Sequence, residues 1–426
     1  MRIQAQPFQV PGFTHLPAGE MFGEGLPAVV TARRRKWRAA LTPALSRRER
    51  EQGHRIAQAG FTLVEMMVAL VLGMLTVLVI TQVLSMAEAQ KRSLTTGGDA
   101  QVNGALALFA LQRAIAQAGY GAAALPEAAG CELRGQFGAA PPFSMTLAPV
   151  VIANGGDAAA GNNEAPDAIT VLQGRTTGPS TPMALTGAHV PDASSFAVAS
   201  SFGVVDGDML IAVPQAQGPG TWCTLLNATD DPSSPLLKID PTRIPNRASS
   251  GSGGNWNHSA LFPAAGYNVG DTLLNMGTLI ARTYSLNNAL NLQALELSST
   301  SGGFEAHDLY PQIVNLQAFY GKDTDGDGVV DRYDATSPTT NEGWQQVLAV
   351  RIALVARSSQ YEKAEVTSSA PLWDVGTAAT FADTAIATCG QSRCISLKVD
   401  RLDDWQHYRY KVFDTIVPLR NVIWHS

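Results

Sequence analysis

Three stretches of different apolar and polar patterning succeed one another along the chain. From Met66 through Leu84 no residue is charged and none is proline. About 20 apolar residues suffice to cross a bilayer as a helix, so the pattern predicts a membrane span over about 64–84. Beyond Leu84 the chain turns polar without losing helical periodicity. Val102, Leu106 and Phe109 recur at i, i+4 and i+7 with Ala105, Leu108 and Ile115 alongside, which predicts a continuing apolar face. Gly97, Gly98 and Gly104 each weaken a helix by about 1 kcal/mol relative to alanine, and Gly119 stands where a terminator belongs. The expectation is one helix over 61–119, roughly 87 Å from Phe61 to Ala118 at about 1.5 Å per residue. It should have a soft spot near Gly97, its first half in membrane and its second half packed on a sheet.

Past Pro126 the period becomes that of strands. Residues 168–173, 208–213, 279–286, 290–297, 313–320, 347–357 and 408–417 carry β-branched or alternating patterns between turn-forming residues. Residues 153–163 and 246–258 are rich in Gly, Ser and Asn and read as exposed loops. The fold class predicted is α+β, a long N-terminal helix packed on an antiparallel, β-rich head over 120–426.

The junction ahead of the apolar run is Gly60-Phe61-Thr62-Leu63-Val64-Glu65, and Glu65 is the one ionisable residue at its edge. A carboxylate in that setting is costly unless something pairs with it, and an α-amino group is the obvious partner. Residues 1–60 are basic, with Arg33-Arg34-Arg35-Lys36-Trp37-Arg38 and Arg47-Arg48-Glu49-Arg50, which holds that end in the cytoplasm. The stretch Leu41 to Arg50 looks like translated intergenic repeat, so the true start is expected downstream, Met21 being the internal methionine before the cut.

This junction resembles the class III signal peptide of type IV pilins: a basic leader ending in Gly, a Phe that becomes the new N-terminus, and Glu as the fifth mature residue. The resemblance implies that a prepilin peptidase cuts between Gly60 and Phe61 and methylates the new amine. Glu65 would then neutralise the Phe61 amine of a neighbouring subunit. Residues 107–120, Gln317 to Gly321, Val350 to Arg357 and Tyr410 to Asn421 further resemble a PilW-type minor pilin. That implies a low-abundance subunit of the pilus that primes assembly, sits near the tip and serves motility and adhesion. Its partners would be other minor and major pilins, the prepilin peptidase and the inner-membrane assembly platform. It would wait in the inner membrane with its head in the periplasm before entering the fibre. Residues from about 131 to 270 match nothing in that pattern.

A second motif is Asp323-Thr324-Asp325-Gly326-Asp327-Gly328-Val329-Val330-Asp331-Arg332-Tyr333-Asp334. Carboxylates at positions one, three, five, nine and twelve with Gly at six reproduce calcium-loop spacing. Asp323, Asp325, Asp327, Asp331 and Asp334 are the expected side-chain ligands, and Val329 would offer its carbonyl. Position twelve is Asp rather than a bidentate Glu and the flanks read as strand, so the expectation is a calcium loop without an EF-hand. The alternative is a solvated acidic turn.

Four cysteines, Cys131, Cys223, Cys389 and Cys394, follow the membrane segment. Even number and extracytoplasmic placement favour disulfides. Of three connectivities, Cys389 with Cys394 and Cys131 with Cys223 is preferred, because the first pair closes a small loop. A zinc site would want nearby histidines and tighter spacing.

Removing residues 1–60 leaves 20 basic against 32 acidic residues, an acidic balance that excludes general affinity for nucleic acid. No Gly-x-Ser-x-Gly, His-Glu-x-x-His or phosphate loop is present, so no catalysis is expected. His407 beside Trp405 and Tyr408 reads as packing or surface, and Trp222, Trp256 and Trp344 would stack on sugars if exposed. The alternatives to a minor pilin are a minor pseudopilin of a type II secretion system, a calcium-dependent adhesin or carbohydrate-binding head on a pilin stem, and a membrane-tethered hydrolase.

Overall fold

The computed structural model describes residues 61–155, 165–176, 180–230, 239–247, 255–379 and 387–423. The basic leader with Gly60 lies outside the described residues, as do residues 156–163 and 248–254 of the two expected loops. By internal packing the chain divides into two units, Met1–Leu75 and Thr76–Ser426.

Helix α1 (Leu63–Ala116) is unbroken, and it runs straight on through Gly97 and Gly98. Its stretch Leu63–Glu88 is long and apolar enough to cross a membrane, and none of it is buried in protein. Ala100 is the first buried residue of the helix among those whose burial is described.

The packed face of α1 is not the one the apolar periodicity predicts. Val102, Leu106 and Phe109 are 55%, 47% and 63% exposed, whereas Ala100, Ala107, Leu111 and Ile115 are buried. The reason is volume. A Cβ on Gly104 would lie 2.1 Å from the ring of Phe413, so the sheet approaches where residues are smallest and the larger apolar side chains fall outside. Leu111 and Ile115, fully enclosed, then contribute about 1.5–3 kcal/mol each to holding the helix down.

What α1 packs on is a four-stranded antiparallel sheet ordered Arg332–Asp334, Ile313–Lys322, Val347–Arg357, Tyr410–Pro418. Leu316, Tyr320, Val350, Ile352 and Leu354 share a core with the helix. Val314, Phe319, Ala353 and Val355 belong to a second core with a small sheet of Leu372–Gly376, Ser392–Ser396 and Ala387–Cys389, where Trp373 stacks on Phe319 at 5.1 Å. Every residue of Ile313–Lys322 is therefore buried.

The larger, ten-stranded sheet follows the path Phe304–Pro311, Asn291–Leu297, Thr272–Leu286, Met209–Val213, Cys223–Asn227, Cys131–Gly135, Phe143–Leu147. One pair departs from the expected antiparallel order: Cys131–Gly135 runs parallel to Cys223–Asn227. Strand side chains alternate between faces, and in Met209–Val213 both faces are covered. Met209, Ile211 and Val213 join a core with Leu133, Leu225 and Trp256, while Leu210 and Ala212 join another with Phe196, Ile244 and Tyr267. The stretch from 131 to 270 thus shares two cores with strands Thr272–Leu286 and Asn291–Leu297 around this sheet.

Candidate functional site

Phe61 and Thr62 precede α1 and are exposed. Thr62 Oγ1 accepts from the Glu65 amide at 3.2 Å, and Glu65 Oε2 accepts from the Thr62 amide and hydroxyl, each at 3.3 Å. This is a reciprocal capping box, in which two otherwise unpaired amides at a helix start satisfy each other's side chains. The spacing Thr-x-x-Glu ahead of the apolar run carries that signal in the sequence. These bonds, 3.2–3.3 Å long, lie at or just beyond the usual upper limit, so the carboxylate is only weakly held to its own chain.

The acidic motif connects Ile313–Lys322 to Arg332–Asp334, which pair as a hairpin through Lys322 with Arg332, Gly321 with Tyr333 and Tyr320 with Asp334. Between them the loop folds around Asp323, whose Oδ1 accepts from the Gly326 amide (2.7 Å) and Oδ2 from the Gly328 amide (2.8 Å). Gly326 and Gly328 have φ of 80° and 84°, a left-handed backbone that a Cβ would strain. Asp325 accepts from the Asp327 amide and Asp327 from the Val329 amide. One oxygen each of Asp323, Asp325 and Asp327 lie within 4.8 Å of one another. The Asp327 amide favours the charged form of Asp325, but the carboxylates of Asp327, Asp331 and Asp323 outweigh it and hold its pKa above the ordinary value. The Thr324 amide and hydroxyl do the reverse for Asp331, whose carboxyl sits below the usual range.

Asp334 does not join this group, and the expected twelve-position ligand set is corrected accordingly. Asp334 is buried in the strand, with Lys322 Nζ at 2.6 Å and Arg332 Nε at 3.1 Å. A buried ammonium demands an anionic partner, and Lys322 takes Asp334 together with the Thr336 carbonyl at 2.8 Å. The position that would have been a ligand instead closes the base of the hairpin.

Another carboxylate stands nearby that the sequence did not single out. Asp323, Gly326, Asp327 and Gly328 line an open cleft together with Glu342, Gln345 and Gln346, contributed by the short helix α2 (Asn341–Gln345) and the residue after it. The Asp323 amide donates to the Gln346 carbonyl at 2.9 Å, which fixes the two walls. Nothing in spacing links Glu342 to the loop; only the hairpin brings it across. Hard carboxylate oxygens on a glycine-rich turn, with open space over Gly326 and Gly328, fit a hard divalent cation of the size of calcium.

Cys131 is joined to Cys223, across the parallel strand pair, and Cys389 to Cys394, at a hairpin tip. Trp256 and Trp344 are buried, so neither offers a face to sugar. Trp222 is half-buried, tied to the Leu261 carbonyl and covered by Arg134 at 3.7 Å. His407 stacks on Tyr361, its Nδ1 2.8 Å from the Glu362 carbonyl, a packing role.

Two family models match the chain. One, described as Type IV Pilus-assembly protein W, covers residues 267–421; this stretch includes the whole four-stranded sheet under α1 and the acidic hairpin. The other, the prokaryotic N-terminal methylation motif, covers residues 55–81 and spans the junction and most of the apolar run. No curated protein and no solved structure matches the chain. An apolar helix that opens on a methylation motif, and a β-rich head whose C-terminal part fits the pilus-assembly family, together support a type IV pilus-related pilin.

Proposed function

We propose that this chain is a minor pilin that primes assembly of type IV pili and is built into them, without catalysis of its own. The observation that carries the reading is Glu65, placed at the first turn of an apolar helix inside the methylation motif. Cleavage after Gly60 would create an amine at Phe61, and in an apolar medium an unpaired carboxylate and an unpaired ammonium each gain by meeting. The subunit waits in the inner membrane, head in the periplasm, and enters the fibre when its Glu65 finds the amine of a neighbouring pilin. Other minor and major pilins, the prepilin peptidase and the inner-membrane assembly platform are its partners, and a place at or near the tip suits a priming subunit.

The capping box sets up the test, because Glu65→Gln keeps an oxygen for the Thr62 amide while removing the charge, and Glu65→Val removes both. Incorporation into sheared pili is measured in cells lacking redundant subunits. The expected outcome is loss of incorporation in both variants, with membrane insertion and cleavage intact. Wild-type incorporation of Glu65→Gln would reduce the carboxylate to a helix cap and sink the charge-pairing step.

A cation reading of the hairpin is favoured by the three converging carboxylates. Calcium would be held by Asp323, Asp325 and Asp327, with Val329 and Asp331 on the same loop and Glu342 facing them, and would stiffen the hairpin of the head. Calorimetric titration of the detergent-solubilised chain should show saturable calcium binding, lost when Asp323, Asp325 and Asp327 are all changed to Ala. At one hundred times Kd the linked stabilisation is about 2.7 kcal/mol, readable as a rise in Tm. Equal heats from both proteins would leave the loop a solvated acidic turn.

A further inference from the structure

The ten-stranded sheet ends on Phe304–Pro311, and among the described residues no strand pairs with the outer side of this one. Every second residue along it therefore turns its amide and carbonyl to solvent. All of its side chains except that of Tyr310 are exposed. Soluble proteins usually blunt such an edge with lysine, proline, a bulge or brevity. Here the register shift at Leu309 and the proline, Pro311, both fall at the C-terminal end. Phe304–Asp308 pairs regularly on its inner side and stays open on the other, and no lysine or arginine occurs between Phe304 and Pro311.

The charges on one face of the sheet run in a row across three strands: Arg282 faces Glu296, and Glu296 faces Glu305. Arg282 Nε donates to Glu296 Oε2 at 2.9 Å, which neutralises the first acid. Glu305 is left with a like charge directly across the ladder, an arrangement that destabilises a pair of strands. Among the described residues its side chain makes no hydrogen bond or ion pair. His307, two residues on, points to the same face and is equally without a partner. Glu296, Glu305 and His307 line an open cleft of about 290 Å³ together with Thr278 and Ser298. Asp308 adds a further negative charge to the edge, although Asn287 and Asn291 donate to it at 2.7 and 2.9 Å. The row thus reads positive, negative, negative, and a cation on one more strand would complete the alternation.

We propose that the edge Phe304–Asp308 receives an extended segment of a partner protein as an added strand, and that this segment carries lysine or arginine opposite Glu305. In such additions main-chain pairing supplies affinity, and pockets for alternate side chains supply specificity. A basic residue directly across from Glu305 has its Cβ about 4.5–5.5 Å away, and its long side chain brings the cationic head to Glu305, His307 and the cleft. An acidic edge repels a second copy of itself, so the segment it admits belongs to a different protein. The site depends neither on the pairing of Glu65 nor on a cation in the acidic hairpin.

The test uses the full mature chain in neutral detergent micelles. The probe is an end-capped, fluorescein-labelled peptide of four Thr-Lys repeats, β-branched enough to form a strand. Two further peptides separate charge from pairing: Thr-Glu repeats reverse the charge, and Pro-Lys repeats keep it but lack every second amide. Fluorescence anisotropy should show saturable binding of the Thr-Lys peptide, binding of the Pro-Lys peptide weaker by about tenfold or more, and none of the Thr-Glu peptide. At saturation the outward-facing amides of residues 304–308 should exchange more slowly by about tenfold or more. Glu305→Lys, at an exposed position where it also removes the like-charge pair, should lose the Thr-Lys peptide and gain the Thr-Glu peptide. Glu305→Gln should weaken the first without gaining the second. The proposal is overturned by absence of saturable Thr-Lys binding, by equal binding of the Pro-Lys peptide with unchanged exchange at 304–308, or by indifference of the Thr-Lys peptide to Glu305→Lys.

Discussion

At the scale of single residues, two glycines of the same helix, Gly98 and Gly104, have opposite physical meaning. Gly104→Ala puts a methyl group into the ring of Phe413. The aromatic side chain sits on the edge strand Tyr410–Pro418 and is only partly buried, so it can swing, but at the expense of the contact that seats α1. Overpacking of this kind costs about 1–3 kcal/mol. Gly98→Ala meets open space and should stabilise the helix by about 0.5–1 kcal/mol. Denaturant unfolding of the two single variants reads both signs in one experiment, and variants that shift stability in the same direction would contradict this account of the helix. The sequence shows two glycines in a helical pattern and cannot say which is which. Only the neighbour that fills the space, some three hundred positions later in the chain, distinguishes them. Glu65 is the opposite case at the other end of α1: its charge, its position and, through Thr-x-x-Glu, its pairing with Thr62 are all legible in the sequence.

Among the elements, what was legible followed from patterning, and what was hidden followed from partners. The apolar run, the long helix and the strands at 168–175, 209–213, 291–297, 313–322, 347–357 and 410–418 announce themselves by period and β-branched content, whereas of Thr272–Leu286 only the half from 279 does. The packed face of α1 did not, because hydrophobicity points to Val102, Leu106 and Phe109 whereas shape selects Ala100, Gly104, Ala107 and Leu111. Strand Phe304–Pro311 is exposed along nearly its whole length and carries Glu305, His307 and Asp308, so it lacks the alternation that marks a half-buried strand. It exists because Asn291–Leu297 offers an edge to pair with. Cys131–Gly135 alternates Glu132 and Arg134 with buried neighbours, a true period-two pattern too short to be noticed. In the acidic hairpin, ligand spacing named Asp323, Asp325 and Asp327, whose oxygens converge, yet it also named Asp331, which Thr324 holds, and Asp334, which Lys322 claims. A lysine one residue before the motif was the available warning, since a strand residue facing the core with an ammonium needs an acid on the neighbouring strand. The core around Phe196, Ile244 and Tyr267 was largely hidden, because apart from 208–213 the segments that build it carry too little periodicity to mark them.

Across the whole molecule, two buried titratable groups in different cores push stability in opposite directions with pH. Asp167 anchors the segment after 155–164 to strand Ile313–Lys322, accepting from the Gly155 amide at 3.0 Å and the Ala318 amide at 2.8 Å. Burial pushes its carboxyl up to about 7, only partly offset by those two amides, and Tyr320 is the titratable neighbour on the strand it faces. A native pKa above the unfolded value means that the native state holds the proton more tightly. Its contribution is therefore complete below about pH 4 and is lost as pH rises towards about 7, at most on the order of 4 kcal/mol. His189 does the reverse. It is stacked on Phe196 at 3.6 Å and buried, and burial lowers its pKa. Asn246 lies close enough to favour the charged form slightly, yet neither ring nitrogen makes a hydrogen bond of good geometry, so desolvation dominates. The neutral ring is what the core accepts, and stability there falls as pH drops below about 6.5. Global unfolding would blur these slopes, whereas opening free energies from amide exchange separate them. Between pH 4.5 and 7.5, amides of Gly155 and Ala318 should become less protected and those of Ser195–Ala197 more protected. Asp167→Asn, which stays neutral and keeps one carbonyl acceptor, should flatten the first trend at a cost of about 1 kcal/mol for the amide left unpaired and leave the second untouched. An unchanged slope at Gly155 and Ala318 in that variant would mean that another group, not Asp167, titrates with the opening, and would overturn this assignment.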